Sequence, residues 1–144
     1  MIRVKEVLEP SAVDLCQLNQ LIPQLSESAQ PMTQTAFAKI INSSATHLYV
    51  AEENDSILGM LSLVIFPIPT GVRAWVEDVV VAVEARGKGV GKLLTLHAIT
   101  ESKKLGALSV DLTSRPSREI ANKLYQSVGF VARDTNVYRY IHNS

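Results

Sequence analysis

One short segment of the chain combines three glycines with two basic side chains: Arg86-Gly87-Lys88-Gly89-Val90-Gly91. It lies between an apolar run and a helical pattern. Gly89 and Gly91 present no side chain to block a ligand, and glycine readily adopts positive φ. Free N–H groups at a helix start attract anions, and Lys92 adds a further positive charge. We therefore expect this segment to bind an anion such as a pyrophosphate.

Two common nucleotide-binding patterns do not fit the glycine segment. The pattern Gly-x-x-x-x-Gly-Lys-Ser/Thr requires a hydroxyl residue after Gly91-Lys92, where the chain has Leu93, and a glycine where it has Arg86. The pattern Gly-x-Gly-x-x-Gly requires a third glycine where the chain has Lys92 or Leu94. ATP and NAD are therefore disfavoured as ligands.

The elements that must position this segment follow from the spacing of apolar residues. Strands are predicted at residues 2–7, 48–52, 57–65, 72–83, 107–113, 130–134 and 136–142, and helices within residues 11–22, 33–41, 90–106 and 117–128. The fourth and fifth strands flank a helix, which predicts a parallel pair joined by a right-handed crossover. The others can pair as hairpins. The pattern predicts a three-layer α/β fold: a mixed, mostly antiparallel sheet of six or seven strands with helices on both faces.

Length and composition indicate one globular domain spanning residues 1–144. Hydrophobic residues make up 47% of the chain, and 14 basic residues balance 14 acidic ones. The zero net charge argues against a dedicated nucleic-acid binder. A single cysteine, Cys16, excludes an intramolecular disulfide and a multi-cysteine zinc site, and the three histidines share no metal-ligand spacing. We thus expect no metal.

The N-terminal residues 1–6 alternate apolar and charged side chains, unlike a signal peptide. No stretch approaches the ~20 apolar residues that span a bilayer. The expectations are a cytoplasmic location and no membrane partner.

Two motifs together identify a family. Arg86, Gly89 and Gly91 fill the pattern Arg/Gln-x-x-Gly-x-Gly/Ala, and a second motif reads Ala121-x-x-Leu124-Tyr125-x-x-x-Gly129-Phe130. The chain resembles the GCN5-related N-acetyltransferase (GNAT) family from roughly residue 48 to residue 140. The resemblance implies an acyl-CoA N-acyltransferase-like fold, in which strands four and five splay apart. It also implies acetyl-coenzyme A as donor, its pyrophosphate on the glycine segment, and direct transfer to an amine in a ternary complex.

The resemblance further implies a set of donor-binding residues. They are Val79, Val80, Val81, Arg86, Gly87, Lys88, Gly89, Val90, Gly91, Lys92, Arg118 and Asn122. The valines present backbone groups to the pantetheine arm, and an N–H near Val79 or Val80 polarises the thioester carbonyl. The family often has asparagine where this chain has Arg118. That arginine either reaches a phosphate or is a solvated charge, and Asn122 contacts the pantetheine arm or a phosphate.

For catalysis, the resemblance places Tyr125 at the position of the usual general acid, which would protonate the departing thiolate. Taken alone, this tyrosine would be packed along its helix face. Glu77 and Asp78 precede the valine run, and an acid near here often accepts the amine proton. Because successive strand residues face opposite ways, only one of the two is expected to face the cleft, and Glu77 is favoured. Glu77, Asp78 and a water chain stay open as the base.

Further alternatives stay open at the sequence level. The amine acceptor is a small molecule, an amino acid or a protein amine. A different class of function is a non-catalytic sensor or interaction module that binds coenzyme A or acetyl-coenzyme A. Cys16 is expected to be a small buried residue, which argues against a covalent acetyl-cysteine route. The alternating residues 137–141 predict a sheet edge, and such an edge favours a homodimer.

Overall fold

The computed structural model describes residues 1–143, which form five strands and four α-helices in an α/β fold. Their bounds are β1 Arg3–Glu6, α1 Leu15–Leu25, α2 Gln34–Asn42, β2 Thr46–Glu53, β3 Ser56–Ile68, β4 Gly71–Val81, α3 Val90–Lys104, β5 Val110–Asp111 and α4 Glu119–Ser127. Short 3-10 turns cover Pro10–Ala12 and Val83–Ala85. Within residues 1–143, every helix is too short or too polar to cross a bilayer.

The sheet is mixed, as predicted, with the strand order β1-β2-β3-β4-β5. The first four strands pair antiparallel, and β5 runs parallel to β4. The parallel pairing is short, since it joins only Ala74 to Val110 and Trp75 to Asp111. Beyond Trp75, β4 continues to Val81 without β5 beside it. A gap therefore opens between β4 and the chain that follows β5.

Helices cover both faces of the central strands. Leu48, Tyr49, Val50 and Ala51 are consecutive and all buried, although successive strand residues point to opposite faces. On one face, the Tyr49 ring meets the His97 ring of α3 edge-on, with centroids 4.7 Å apart. Helices α1 and α2, which contact β2, β3 and β4, cover the other face. The predicted three-layer arrangement is present.

The predicted count of six or seven strands is not confirmed. Residues 130–134 and 136–142, predicted as strands, have no regular secondary structure. Their alternating sequence is suited to a strand, but a strand also needs a neighbour to bond its backbone. The last backbone hydrogen bond runs from the Phe130 N–H to the Tyr125 carbonyl, at 3.0 Å. The alternation identified residues that are suited to a strand, but among the described residues no strand pairs with them.

Candidate active site

The glycine segment forms an open turn that leads into α3. Gly87 and Gly89 have φ of 84° and 80°, in the left-handed region where glycine has no steric penalty. A Cβ added to either would meet no heavy atom within 4 Å, so open space lies beside both. Gly89 is the N-cap of α3 and supplies no side chain to cap it. The first N–H groups of the helix are thus free for a ligand.

Gly91 differs from the expectation, because it lies in the first turn of α3 and not at positive φ. A Cβ there would stand 3.3 Å from Leu124 Cδ2 and 3.7 Å from Val81 Cγ2. Its small size therefore serves close packing. The start of α3, the end of β4 and helix α4 converge at this glycine, which brings both sequence motifs into one region.

The basic residues of the segment remain uncommitted. Arg86, Lys88 and Lys92 are exposed, and none takes part in an ion pair among residues 1–143. Together with the positive end of the α3 dipole, they make this surface locally cationic on a chain of zero net charge. Val90 points inward and is buried, which anchors the helix start. The arrangement suits an extended anion such as a pyrophosphate.

A β-bulge in β4 lies beside the gap between β4 and β5. Met60 of β3 pairs with Val80, and Ser62 pairs with Glu77. The paired positions are thus three residues apart in β4 but only two apart in β3, so β4 contains one extra residue. Asp78, within the bulge, has φ of 50°. An inserted residue leaves backbone groups unpaired and re-aims the side chains around it. The backbone near Val79 is thereby available to a ligand in the gap.

The bulge bears on the prediction about the two acids, which stays a prediction. Strict alternation would turn Glu77 and Asp78 to opposite faces, but both side chains are exposed. The extra residue interrupts the two-residue period. Val80 is buried, whereas Val79 and Val81 are half-buried. Alternation therefore cannot choose between the two carboxylates as the base.

A tryptophan that the sequence did not assign to catalysis holds Glu77. Trp75 Nε1 donates a hydrogen bond of 2.6 Å to Glu77 Oε1. Residues two apart in a strand share a face, so the Trp-x-Glu spacing could have predicted the contact between Trp75 and Glu77. Trp75 also lines the same groove as Tyr125. The pair thus fixes one carboxylate at the edge of this groove.

Tyr125 lies on the inner face of α4 and is only 6% exposed. Its ring meets Phe130 edge-on, with centroids 5.8 Å apart. Burial raises the pKa of the phenol above its ordinary value of 10.0, and the positive charge of Arg118 offsets part of that rise. The phenol therefore carries its proton at neutral pH, as a general acid must.

The loop between β5 and α4 completes the groove. Asn122 Nδ2 donates a 2.9 Å hydrogen bond to the Arg115 carbonyl, so this amide holds the loop as well as facing the groove. Arg118 is the exposed N-cap of α4. Ser114 was not singled out in the sequence, yet its buried hydroxyl has no partner among the described residues. It gives the groove a free polar atom.

The groove has a volume of about 570 Å³. Its walls are Trp75 of β4, Ile99 of α3, residues 110–114, the inner side of α4 and residues 128–133, 135 and 137. Apolar side chains dominate it, and Tyr125, Asn122 and Ser114 are among the residues that supply polar atoms. Such a mixture is typical of small-molecule sites. The groove adjoins the gap beside β5.

Two residues outside the groove complete the comparison with the sequence. Cys16 is exposed in α1, so the expectation that it is buried was wrong. Tyr49, on β2, is fully buried, and its hydroxyl has no hydrogen-bond partner among the described residues. Burial and the negative charges of Glu6 and Glu101 raise the pKa of Tyr49. Neither residue contributes to the groove.

The site thus combines an open cationic turn at a helix start, a bulged strand and a parallel strand pair that is joined at only two positions. The profile of the Acetyltransferase (GNAT) family matches residues 13–130. The chain belongs to this family.

Relatives and solved structures agree with the assignment. The chain is 37% identical over 100 residues to the mycothiol acetyltransferase of Renibacterium salmoninarum, a match covering 67% of this chain but 30% of that protein. It is 25% identical over 131 residues to N-alpha-acetyltransferase 30 of Schizosaccharomyces pombe, covering 90% and 83%. A Trypanosoma brucei acetyltransferase structure superposes with a TM-score of 0.82 at 26% identity, covering 98% of this chain and 100% of that one. The chain spans less than a third of the length of the mycothiol acetyltransferase that it matches. Members of the GNAT family are expected to use acetyl-coenzyme A as donor.

Proposed function

We propose that residues 1–144 act as one domain that transfers an acetyl group from acetyl-coenzyme A directly to a primary amine. The observation that carries the proposal is the open, cationic turn at residues 86–92, with unpaired basic side chains at a helix start. When bound, acetyl-coenzyme A supplies an activated thioester, whose C–S bond breaks as the amine forms a C–N bond. The absence of a nearby cysteine in the groove lining supports direct attack in a ternary complex.

The donor would be held along the two motifs. Arg86, Lys88 and Lys92 provide positive charge for its phosphates, and the turn provides backbone N–H groups from Gly87 to Gly91. Arg118, exposed and unpaired at the start of α4, extends this positive surface. A cation at a helix N-terminus is unfavourable without an anion nearby, which supports a phosphate contact.

The bulge and α4 would hold the reacting end of the donor. Backbone groups of Val79, Val80 and Val81 line the gap, and an N–H near the bulge serves as the oxyanion donor for the thioester carbonyl. Asn122 has its amide oxygen available for the pantetheine arm, since its nitrogen is bonded to the Arg115 carbonyl. These contacts orient the thioester.

Glu77 and Tyr125 carry the proton transfers in this proposal. An alkylamine has a pKa of about 10 and is mostly protonated at neutral pH, so a base must remove a proton before attack. Glu77, held by Trp75, accepts that proton directly or through water. Tyr125 gives its proton to the departing sulfur. The second proton, which the nitrogen loses as the amide forms, passes to solvent, and Tyr125 is reprotonated from solvent.

The test is release of free coenzyme A from acetyl-coenzyme A with a panel of acceptors: a small-molecule amine, an amino acid and a peptide with a free α-amine. Release that depends on one acceptor is expected and defines its class. Acetyl-coenzyme A binding without release on any acceptor would contradict the transferase and favour the non-catalytic sensor.

A matched pair of variants tests the base. Glu77→Gln and Asp78→Asn each remove one exposed negative charge from the same bulge. We expect Glu77→Gln to lower kcat by about 100-fold or more, as for loss of a general base, and Asp78→Asn to stay within threefold by the same reasoning. The reverse order would move the role to Asp78.

We also propose that the enzyme works in the cytoplasm as a homodimer. The exposed thiol of Cys16 persists most readily in a reducing compartment. Fractionation of cells that express the tagged protein tests the location, and recovery outside the cytoplasmic fraction would contradict it.

A further inference from the structure

The strand register places Trp75 and Glu77 on the sheet face that α1 and α2 cover. Tyr49 faces α3, so its neighbour Leu48 points to the opposite face. Leu48 pairs with Ser62, and Ser62 pairs with Glu77. Directly paired residues of neighbouring strands lie side by side on one face. Glu77, and Trp75 two residues before it, therefore lie on the face of α1 and α2.

Part of this face remains accessible to solvent. Leu48, Val50 and Met60 are buried there, but farther along β3 and β4 the side chains are only half-buried or, for Glu77, exposed. These side chains form three cross-strand pairs, which we term the open strip: Ser62 with Glu77, Val64 with Trp75, and Phe66 with Arg73. The strip starts beside the bulge of β4 and runs toward the turn between β3 and β4.

The chemistry of the open strip changes from one end to the other. At the bulge, Trp75 bonds one carboxylate oxygen of Glu77, which leaves Oε2 available to a ligand. The middle of the strip is apolar and aromatic. At the far end, Arg73 Nη2 lies 3.5 Å from Thr70 Oγ1, and the guanidinium makes no ion pair with any residue in 1–143. The strip therefore carries a negative charge and an unpaired positive charge at opposite ends.

One further charged residue shares this face. Asp111 of β5 pairs with Trp75 and so lies beside it. Arg133 Nη1 stands 3.9 Å from Asp111 Oδ2, so this carboxylate already has a cation next to it. Arg73 is half-buried and has no such neighbour. A guanidinium in this position favours an anion, because its planar donors match the oxygens of a carboxylate or a phosphate.

The spacing of the two charges sets the length of a ligand that contacts both. Arg73 and Glu77 are four residues apart in a regular part of β4, since the extra residue of the bulge follows Glu77. Their Cα atoms are therefore about 13 Å apart. An arginine side chain that leans along the strand brings the charges to roughly half that distance. An α-amino acid is too short to contact both, because its amine and carboxylate share one carbon atom.

We propose that the open strip binds the acceptor and that this acceptor is an elongated zwitterion. Its primary amine lies at Glu77, its apolar atoms cover Trp75 and Phe66, and its carboxylate or phosphate is bound by Arg73. The inference rests on the proposed acetyl transfer, for which it names the class of acceptor. In this arrangement Arg73 determines specificity and takes no part in the proton transfers.

The test measures coenzyme A release with three pairs of acceptors, and the two members of each pair differ by the anionic group alone. The pairs are ω-aminooctanoate with ω-aminooctanamide, ω-aminooctyl phosphate with ω-aminooctanol, and the tripeptide Ala-Leu-Ala with its C-terminal amide. Each anionic member spans about 10 Å when extended. The pairs distinguish a carboxylate on a small amine, a phosphate on a small amine and the carboxylate of a peptide.

For at least one pair, the wild type should show a kcat/KM about tenfold or more higher for the anionic member, mainly through a lower KM. Arg73→Gln should reduce that preference to below about threefold by the same reasoning, without changing KM for acetyl-coenzyme A. Arg73→Lys keeps the charge and should retain part of the preference. The matched control is Arg3→Gln, which removes the same charge from β1 at the other edge of the sheet and should keep the wild-type preference.

Equal kcat/KM for both members of every pair would overturn the proposal, and so would a preference that survives in Arg73→Gln. Calorimetric titration of the same compounds into protein saturated with coenzyme A separates this inference from the transfer reaction. Binding that favours the anionic members and is weakened in Arg73→Gln, with no coenzyme A release from acetyl-coenzyme A, would support the ligand class and contradict the transferase. Release at equal rates with both members would support the transferase and contradict the ligand class.

Discussion

Replacing Tyr125 by phenylalanine isolates one hydroxyl of the candidate site. The ring stays, and with it the edge-on contact to Phe130 at 5.8 Å and the burial of a side chain only 6% exposed. We therefore expect the free energy of unfolding to change by no more than about 1 kcal/mol, the usual net value of one hydroxyl interaction. The variant should remain folded, so a change in rate reports on chemistry.

The expected loss of rate follows from the role of the phenol. A positioned general acid contributes about 10²- to 10⁴-fold, so kcat should fall by at least ~100-fold. KM for acetyl-coenzyme A should be nearly unchanged, because the donor phosphates are held by residues 86–92 at the start of α3. Since burial raises the pKa of Tyr125 above 10.0, the wild-type enzyme should not lose activity through this group as the pH rises to 9.

The assay is coenzyme A release at saturating acetyl-coenzyme A and a working acceptor. Tyr49→Phe is the matched control, since it also removes a buried tyrosine hydroxyl, but one that faces α3 and His97 away from the groove. We expect the control to keep wild-type kcat. A Tyr125→Phe enzyme whose kcat stays within threefold of wild type would refute the general-acid assignment.

Two further predictions concern Trp75 and Tyr49. Trp75→Phe removes the 2.6 Å hydrogen bond to Glu77. Because hydrogen bonds to charged groups contribute ~1.5–3 kcal/mol, we expect kcat/KM for the acceptor to fall about tenfold. Trp75→Phe should cause no further fall when Glu77→Gln is already present, and additive losses would contradict the coupling of the two residues. Tyr49→Phe removes a buried hydroxyl that lacks a partner, so urea unfolding should show a gain of about 1 kcal/mol relative to the exposed control Tyr140→Phe. Because burial raises the pKa of Tyr49 in the fold, the unfolded chain ionises first, and the contribution of this group to wild-type stability should be constant below pH ~10 and fall above it. Tyr49→Phe should reduce this loss of stability at alkaline pH. An equal loss in the variant and the wild type would contradict the assignment of the loss to Tyr49.

The parts of the site that sequence predicted are those fixed by local chemistry. A glycine turn with basic residues between a strand and a helix is specified by adjacent residues, and Gly87 and Gly89 take the positive φ expected of such a turn. The parallel pairing of β4 and β5 also followed, because a helix between two strands permits little else.

What the sequence did not predict depends on tertiary neighbours. The small size of Gly91 reflects its packing against Leu124, more than thirty residues away in the chain. The bulge at Asp78 depends on how β3 aligns with β4. The two-residue alternation of a strand sequence does not show where an extra residue is inserted. Residues 137–141 have the alternation of a strand, but among residues 1–143 their backbone has no neighbouring strand to bond.

The central claim is that residues 86–92 hold the donor, and calorimetric titration with acetyl-coenzyme A tests it most directly. The variant Arg86→Ala/Lys88→Ala is compared with Lys103→Ala/Lys104→Ala, which removes the same charge from the other end of α3. We expect saturable binding to the wild type, weakened at least about tenfold by the first pair through loss of charge-assisted contacts and little changed by the second. Folded wild-type protein that binds no acetyl-coenzyme A, or equal weakening by both pairs, would contradict the account.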